Sequence, residues 1–391
     1  MTAHKSDDHA IVSADDGRVR QTIALIAFIA ISCAPVTGPA VPPSPASSVS
    51  VAPTAAPSAS LTAGSFTMPA DRDMITFAAD RGALIAFSTR DAPPPYESKI
   101  QRADPATNAW KTIYSSDGMF LTGRVVAGRA ALTEHREPYQ GGGAYSVDFT
   151  VVDLSTGKAT AIDRFAMTQA TFRGGGGGPR RPVGSIVIGP DRAAWTRLIE
   201  GPGGSVTGEL RVAPLADPGR ATSIASSVEW ISALALDGHR LLYVLGGKTE
   251  DQLHIRDLDS GADRIVVTGA VGDQQREGGI PGFNLARLAG DWAIWLETPR
   301  AGPGRIRAVN VVNGAEPTID GGGSSCSGPT AGTRYVAWYC SANVGGVLDA
   351  NTLEPVRIPG ASVGAEASDD ALLWFTVIPN GRTVTLFRPR S

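Results

Sequence analysis

Cysteine, histidine and aromatic residues are all scarce in this chain, and each scarcity removes a class of chemistry. The chain has three cysteines and five histidines among 391 residues, and His135, His239 and His254 show no ligand spacing such as H-x-x-x-H, so neither a resident metal nor a cofactor is expected. Strong charge of one sign is lacking as well: 35 basic against 38 acidic side chains leave a formal net charge of −3, which offers no cationic surface to nucleic acid. The apolar run "TIALIAFIAIS" at 22–32 is shorter than the roughly 20 residues of a membrane span. Glycine, at 46, and proline, at 28, are plentiful. With short apolar runs between polar turns, this composition predicts an all-β fold.

Arg18 and Arg20 precede the apolar run, the arrangement of a secretory signal peptide over 1–32. Ala30 and Ser32 close it and Cys33 follows at once, so "AISC" resembles the lipobox of bacterial lipoproteins. That resemblance implies lipidation at Cys33 and attachment to the bacterial cell envelope, outside the cytoplasm; an unlipidated secreted protein is the alternative. Residues 33–63 continue as an uncharged Pro/Ala/Ser stretch. With almost no large side chain to bury, it is expected to be a disordered tether.

Beyond the tether, apolar runs recur: "ALIAFST" from 83, "RAALTEH" from 129, "AAWTRLI" from 193, "RLLYVLG" from 240, "WAIWLET" from 292, "YVAWYCS" from 335 and "LLWFTVI" from 372. Each follows a tight polar turn such as "PDR" or "LDG", which predicts a hairpin of two strands, a and b. A second hairpin follows in each unit, its turn carrying Asn108, Gly157, Gly219, Gly261, Gly314 or the "NTLE" of 351–354. The near-copies "VVDLSTGKATAID" (151–163) and "IRDLDSGADRIVV" (255–267) are two such second hairpins. Four strands per unit of 40–60 residues predict a β-propeller over 64–391, with seven four-stranded antiparallel blades and six or eight as alternatives. The last unit lacks a fourth strand, and "GSFTMP" (64–69) is expected to supply it from the N-terminal side, closing the ring. Trp195, Tyr243, Trp295, Trp338 and Trp374 share one place in strand b and are expected to be core, each contributing on the order of 2 kcal/mol when buried.

The stretch "LDGHRLLYVLGGKTEDQLHIRDLDSGADRIVV" (236–267) resembles the repeat of TolB-like and WD40-like propellers. That resemblance implies binding of proteins or ligands more often than catalysis; six blades are typical of TolB itself. "VVDLSTGKATA" also resembles part of the docking repeat of quinone-cofactor propellers, with Ala161 where that repeat has tryptophan.

Cys326 and Cys340 lie seven residues either side of Thr333, at the centre of the sixth a-to-b hairpin, and are expected to form a disulfide contributing about 3 kcal/mol. His135, His239 and His254 are expected in different blades, at surface or turn positions. The "EHRE" of 134–137 is expected to be solvated charge, with acid–base work as the alternative. The glycine run of 172–182 lacks the order of a phosphate loop and is expected to be mobile and basic.

The long connections, at 90–99, 135–146, 164–184, 199–208 and 268–284, are all of the b-to-c or d-to-a kind, which places them on one face of the ring. That face is expected to bind a protein partner or small ligand, with a monomeric ring, through Tyr96, Arg136, Tyr139, Arg173, Arg180, Arg181, Arg276 and Glu277. Arg287, Thr330 and Glu366 each precede an aromatic of strand b by eight residues. They are expected on the innermost strand, as a structural ion pair or a channel ligand site. The expected function is a lipid-anchored, extracytoplasmic binding or scaffold module. The alternative is a propeller enzyme, a hydrolase, lyase or quinone-cofactor dehydrogenase, acting at the channel mouth.

Overall fold

The computed structural model describes residues 61–391 apart from 68–73, 91–95, 105–106, 108, 137–144, 168–184, 203–204, 271–282, 284–285, 298–304, 318, 320–328, 339–345, 355, 357–363, 369–370, 379–380 and 390–391. Its strands form antiparallel sheets in chain order. The first sheet holds β2 (Met74–Asp80), β3 (Ala83–Arg90), β4 (Glu97–Ala103) and β5 (Trp110–Ser116), and the second β6 (Met119–Val126), β7 (Arg129–Arg136), β8 (Tyr145–Asp153) and β9 (Ala159–Met167). The third holds β10 (Ile186–Ile188), β11 (Arg192–Glu200), β12 (Val206–Pro214) and β13 (Thr222–Ser227), and the fourth β14 (Trp230–Asp237), β15 (Arg240–Gly246), β16 (Glu250–Asp257) and β17 (Asp263–Ala270). Three strands are described in the fifth, β18 (Arg287–Ala289), β19 (Trp292–Glu297) and β20 (Arg305–Asn310), and three in the sixth, β21 (Thr330–Ala331), β22 (Tyr335–Trp338) and β23 (Gly346–Asp349). The seventh joins β24 (Gly364–Ser368), β25 (Ala371–Ile378) and β26 (Gly381–Pro389) to β1 (Leu61–Thr67).

Burial is greatest in strand b and falls toward strand d. Strand b is covered on both sides: β3, β7 and β15 are buried over almost their whole length, as a strand sandwiched between two neighbouring sheets must be. Strand c alternates, as in β4 and β16, and strand d is largely open, as in β13. Apolar clusters fill the space between consecutive sheets all the way round. The one containing Phe77 and Leu84 also contains Phe66, Ala371 and Leu373, so the seventh sheet packs on the first and the ring closes. The chain is a β-propeller of four-stranded antiparallel blades.

The strand-b aromatics sit within these seams. Trp195, Tyr243, Trp295 and Trp338 are all 5% exposed or less, whereas the side chain of Trp374 lies outside the described residues. Close backbone approach is needed at chosen points of a seam, as where a Cβ on Gly123 would lie 2.6 Å from the Phe87 ring of the preceding sheet.

Turn chemistry explains the near-copies in the sequence. After strand c, Asp153 Oδ1 accepts the amides of Ser155 and Thr156, both at 2.9 Å, and Asp257 Oδ1 accepts those of Asp259 (3.0 Å) and Ser260 (2.8 Å). Gly157 and Gly261 then take φ of 73° and 75°, a conformation that suits glycine. Hydrogen bonds from Ser155 and Thr156 hold the Asp153 carboxyl well down, at about 2. Asn310 and Gly314 repeat the turn in the fifth sheet, and Asp349 with Leu353 at φ 57° repeats it in the sixth.

The two short turns of a sheet are also stitched together. Leu154 N–H donates to Gly128 O (2.9 Å), Leu215 to Asp191 (2.8 Å), Leu258 to His239 (2.8 Å), Val311 to Asp291 (2.7 Å) and Ala350 to Arg334 (2.6 Å). Arginines then reach from one sheet to the turn of the next. Arg129 donates to Pro190 O, Arg192 pairs with Asp259 at 2.6 Å, and Arg240 contacts Asp291 at 2.6 Å and Gly290 O at 3.1 Å.

Several expected boundaries move. The closing strand runs over Leu61–Thr67, not 64–69, because Leu61 already pairs with Pro389 at the end of β26. Its first residue therefore lies at the short-turn end of the ring. The 199–208 connection shrinks to 201–205, since Glu200 pairs with Val206 and extends the ladder through Gly208. The 164–184 connection gives up 164–167 to β9. In the sixth hairpin Thr330 faces Ala337 and Ala331 faces Val336, a register centred between Thr333 and Arg334 rather than on Thr333.

The closing strand yields a direct test. A chain starting at residue 68 should be about 4 kcal/mol less stable than one starting at 61, from seven ladder positions at roughly 0.5–1 kcal/mol each. Urea unfolding midpoints measure the difference, and equal midpoints would contradict closure by β1.

Candidate functional site

The end of the ring opposite the short turns carries the b-to-c and d-to-a connections. Of the residues expected to bind there, Tyr96 and Arg136 are described and stand close together. Tyr96 N–H donates to Asp117 O at 3.1 Å, and the Arg136 guanidinium contacts Asp117 Oδ1 at 2.5 Å. Tyr139, Arg173, Arg180, Arg181, Arg276 and Glu277 lie outside the described residues, as do Cys33, Cys326 and Cys340.

Arg136 ends strand β7 and organises a network that two sheets supply. Glu134, wholly buried, accepts from Ser116 Oγ (2.6 Å), Arg136 Nη2 (3.0 Å) and the Tyr114 hydroxyl (3.3 Å). Arg136 Nε lies 2.8 Å from Asp148 Oδ2, at ion-pairing distance but outside hydrogen-bond alignment. Asp148 is clamped from its other side by both ends of Arg164, at 2.6 and 2.7 Å. Burial raises the Tyr114 phenol above its ordinary value, and the Glu134 carboxylate beside it adds to the rise. Burial works against charge on Arg136 too, yet Glu134, Asp117 and Asp148 outweigh it and hold the guanidinium above its usual value. The result is a fixed cation, about a third exposed at its side chain, at the mouth of the seam between the first two sheets. Its donors are taken by Asp117, Glu134 and Asp148, so it offers a partner a fixed polar edge and not a free positive charge.

This overturns the expectation that the "EHRE" charges are simply solvated. Glu134 and His135 are both completely buried, because strand b is covered on both faces and Tyr114 and Ser116 come across from the preceding sheet. His254 is not a surface residue either: its ring stacks on Tyr243 at 4.8 Å, and its Nδ1 lies 3.1 Å from Asp263 Oδ1. It shares the fourth sheet with His239, so these two histidines do not fall in different blades. His239 does lie in a turn, with Nε2 3.2 Å from Asp257.

The innermost strands keep the register read from the sequence. Arg287 faces Ile294, Thr330 faces Ala337 and Glu366 faces Leu373, each partner standing one residue before the strand-b aromatic. Glu366 is placed by its backbone alone. Arg287 Nη1 donates to Ala286 O at 2.9 Å, and Thr330 Oγ1 accepts the Ala367 amide at 2.8 Å. The second sheet contributes a member that sequence reasoning missed. Arg124 faces Ala131 in the equivalent position and donates to Leu234 O at 2.6 Å, crossing from the second sheet to the fourth. Leu234 is the extra residue of a bulge in β14, which turns its carbonyl out of the ladder.

Two cavities, of ≈ 370 and ≈ 380 Å³, lie away from Arg136, on either side of the 3-10 turn Pro218–Arg220. The second is floored by Trp195, whose Nε1–H donates to Asp163 at 2.8 Å, with the Arg211 guanidinium 5.8 Å from the ring.

No family model matches the chain, and no curated protein matches it. Solved structures do. An acylaminoacyl peptidase in complex with Z-Gly-Gly-Phe-chloromethyl ketone aligns at TM-score 0.51 and 10% identity, over 80% of this chain and 49% of the peptidase. An oligogalacturonate lyase in complex with manganese aligns at TM-score 0.49 and 10% identity, over 83% and 98% of the two chains. TolB from Acinetobacter baumannii aligns at TM-score 0.43 and 14% identity, over 80% and 66%. At these identities the likeness is one of fold.

The network around Arg136 predicts unequal costs for its two neutral substitutions. Glu134→Gln removes the buried countercharge and should destabilise by about 2 kcal/mol, whereas Tyr114→Phe removes one long hydrogen bond and should cost under about 1 kcal/mol. Chemical denaturation gives both values; equal costs would mean that Glu134 is not the centre of the network.

Proposed function

We propose that this chain is an extracytoplasmic, lipid-anchored binding or scaffold module whose partner, a protein, docks on the long-connection face around Arg136. The observation that carries the proposal is the contrast between the two ends of the ring. On the short-turn end, turn amides and four arginines are consumed by bonds within and between sheets. On the other end, Arg136 is held in a network of acids at the end of β7, and the connections that follow strands b and d in sequence carry Tyr139, Arg173, Arg180, Arg181, Arg276 and Glu277. Each sheet is read as one blade, giving seven, with six or eight as the alternatives.

Residues 1–32 are proposed as a signal peptide, Cys33 as the lipidated residue and the stretch up to the closing strand as a tether. The first residue of β1 lies at the short-turn end, which supports an anchor on that side and leaves the other end facing away from the membrane. Cys326 and Cys340 are proposed as a disulfide. The register in β21–β22 would bring them opposite each other if strand a gained one bulged residue, as β6 and β14 do. Mass mapping of the purified, non-reduced protein should find an acylated N-terminus at Cys33 and a linked Cys326–Cys340 peptide pair. An unmodified Cys33 or free thiols would refute the respective assignment.

The docking face is tested by substituting Arg180 and Arg181 together with alanine. Capture of a native partner should fall several-fold in a pull-down, while the melting temperature changes by no more than a degree or two, as for exposed substitutions of about 0.5 kcal/mol. Undiminished capture, with loss on substituting His239 instead, would place the interface on the short-turn end.

A further inference from the structure

We propose that the ≈ 370 Å³ groove on the outer rim, where strands c and d of the third sheet meet the c-to-d turn of the fourth, binds a small amphiphilic anion: a carboxylate or phosphate head on a short apolar body. Its volume is that of a small-molecule pocket. Val212, Ile224 and Leu258 make an apolar floor, and Arg192, Arg220 and Arg256 stand over it, with no acidic side chain in the lining.

The three guanidiniums differ in how they are held. Arg192 is fixed by Asp259 at 2.6 Å, and Arg256 by Asp263 at 3.2 Å. Each acid occupies one part of its arginine's donor fork and restrains the rest toward the groove, since a guanidinium has five N–H groups in a fixed plane. Arg220 is exposed and its side chain makes no ion pair or hydrogen bond among the described residues. The Arg220 amide is tied to Asp217 O at 3.1 Å in the 3-10 turn, which sets where the side chain starts. Arg192, which also lies 3.7 Å from Asp191, and Arg256 are thus neutralised by their own acids, and Arg220 is left as the guanidinium whose donors can meet one anionic head. The apolar floor has no charged partner of its own and is matched to the body of the ligand. Inorganic anions would use only the first feature and neutral amphiphiles only the second, so both should bind more weakly than a molecule that uses both.

Octanoate is a suitable probe, with acetate and octanol as its charged and apolar halves. By isothermal titration calorimetry on the purified chain, octanoate should bind saturably at one site, with acetate and octanol at least tenfold weaker. Arg220→Ala should weaken octanoate at least tenfold. Because Arg220 is exposed, its unliganded melting temperature should stay within a degree or two, which separates lost binding from lost folding. Absence of saturable binding, equal affinity for octanol, or full retention of octanoate by Arg220→Ala would each overturn the proposal. It concerns the rim of the other end of the ring and stands or falls independently of a partner at Arg136.

Discussion

The ring depends on how its short-turn end disposes of backbone amides. A turn that projects past the last ladder bond leaves an N–H to be satisfied, and an unpaired buried donor costs about 1–3 kcal/mol. In sheets two to six that amide is given to the carbonyl of the other turn of the same sheet, from Leu154 to Gly128 through to Ala350 and Arg334. Strands a, b, c and d are thereby fixed at one height, and the apolar stripe of strand b meets the next sheet at a constant level. Arg129, Arg192 and Arg240 add the circumferential link, each reaching the turn of the following sheet. Individually, such partly exposed ion pairs contribute little; their geometry matters because it repeats.

A surface whose polar groups are consumed in this way has few left to offer a partner. The opposite end is built differently, with longer connections and a buried acidic network that fixes one guanidinium at its edge. The energetic reason for that network lies in Glu134. A carboxylate with no exposed surface requires donors on every side, and once Tyr114, Ser116 and Arg136 are recruited, Arg136 loses most of its rotamer freedom. Cations fixed in this manner lose less entropy on binding than flexible surface lysines do. The outer-rim groove is the exception at the short-turn end, since Arg220 stands at its periphery, outside the repeating stitches.

How much of this could be read in the sequence depends on whether an interaction is local. The Asp-Leu-x-x-Gly echo is a five-residue turn whose bonds lie within it, and it reappears intact in the structure at Asp153 and Asp257. The place of Arg287 and Glu366 on the inner strand was legible because Trp295 and Trp374 mark the register. Arg124 escaped notice because its sheet has Leu132, not an aromatic, at the marking position. The burial of Glu134 was illegible for another reason: Tyr114 and Ser116 come from the neighbouring sheet, and a polar residue in an apolar strand reads as solvated until its partner across the seam is known. His254 was misplaced in the same way, since its stacking on Tyr243 is a contact between strands b and c.

The claim that the protein partner docks on the long-connection end is open to one measurement, because the lysines of the ring divide between its ends. Lys99 and Lys248 lie beside b-to-c connections, whereas Lys111 and Lys158 lie at c-to-d turns. Lysine-directed cross-linking of the protein in its native envelope, read by mass spectrometry, should give links to other proteins through Lys99 and Lys248. Links to other proteins concentrated on Lys111 and Lys158 would contradict the account.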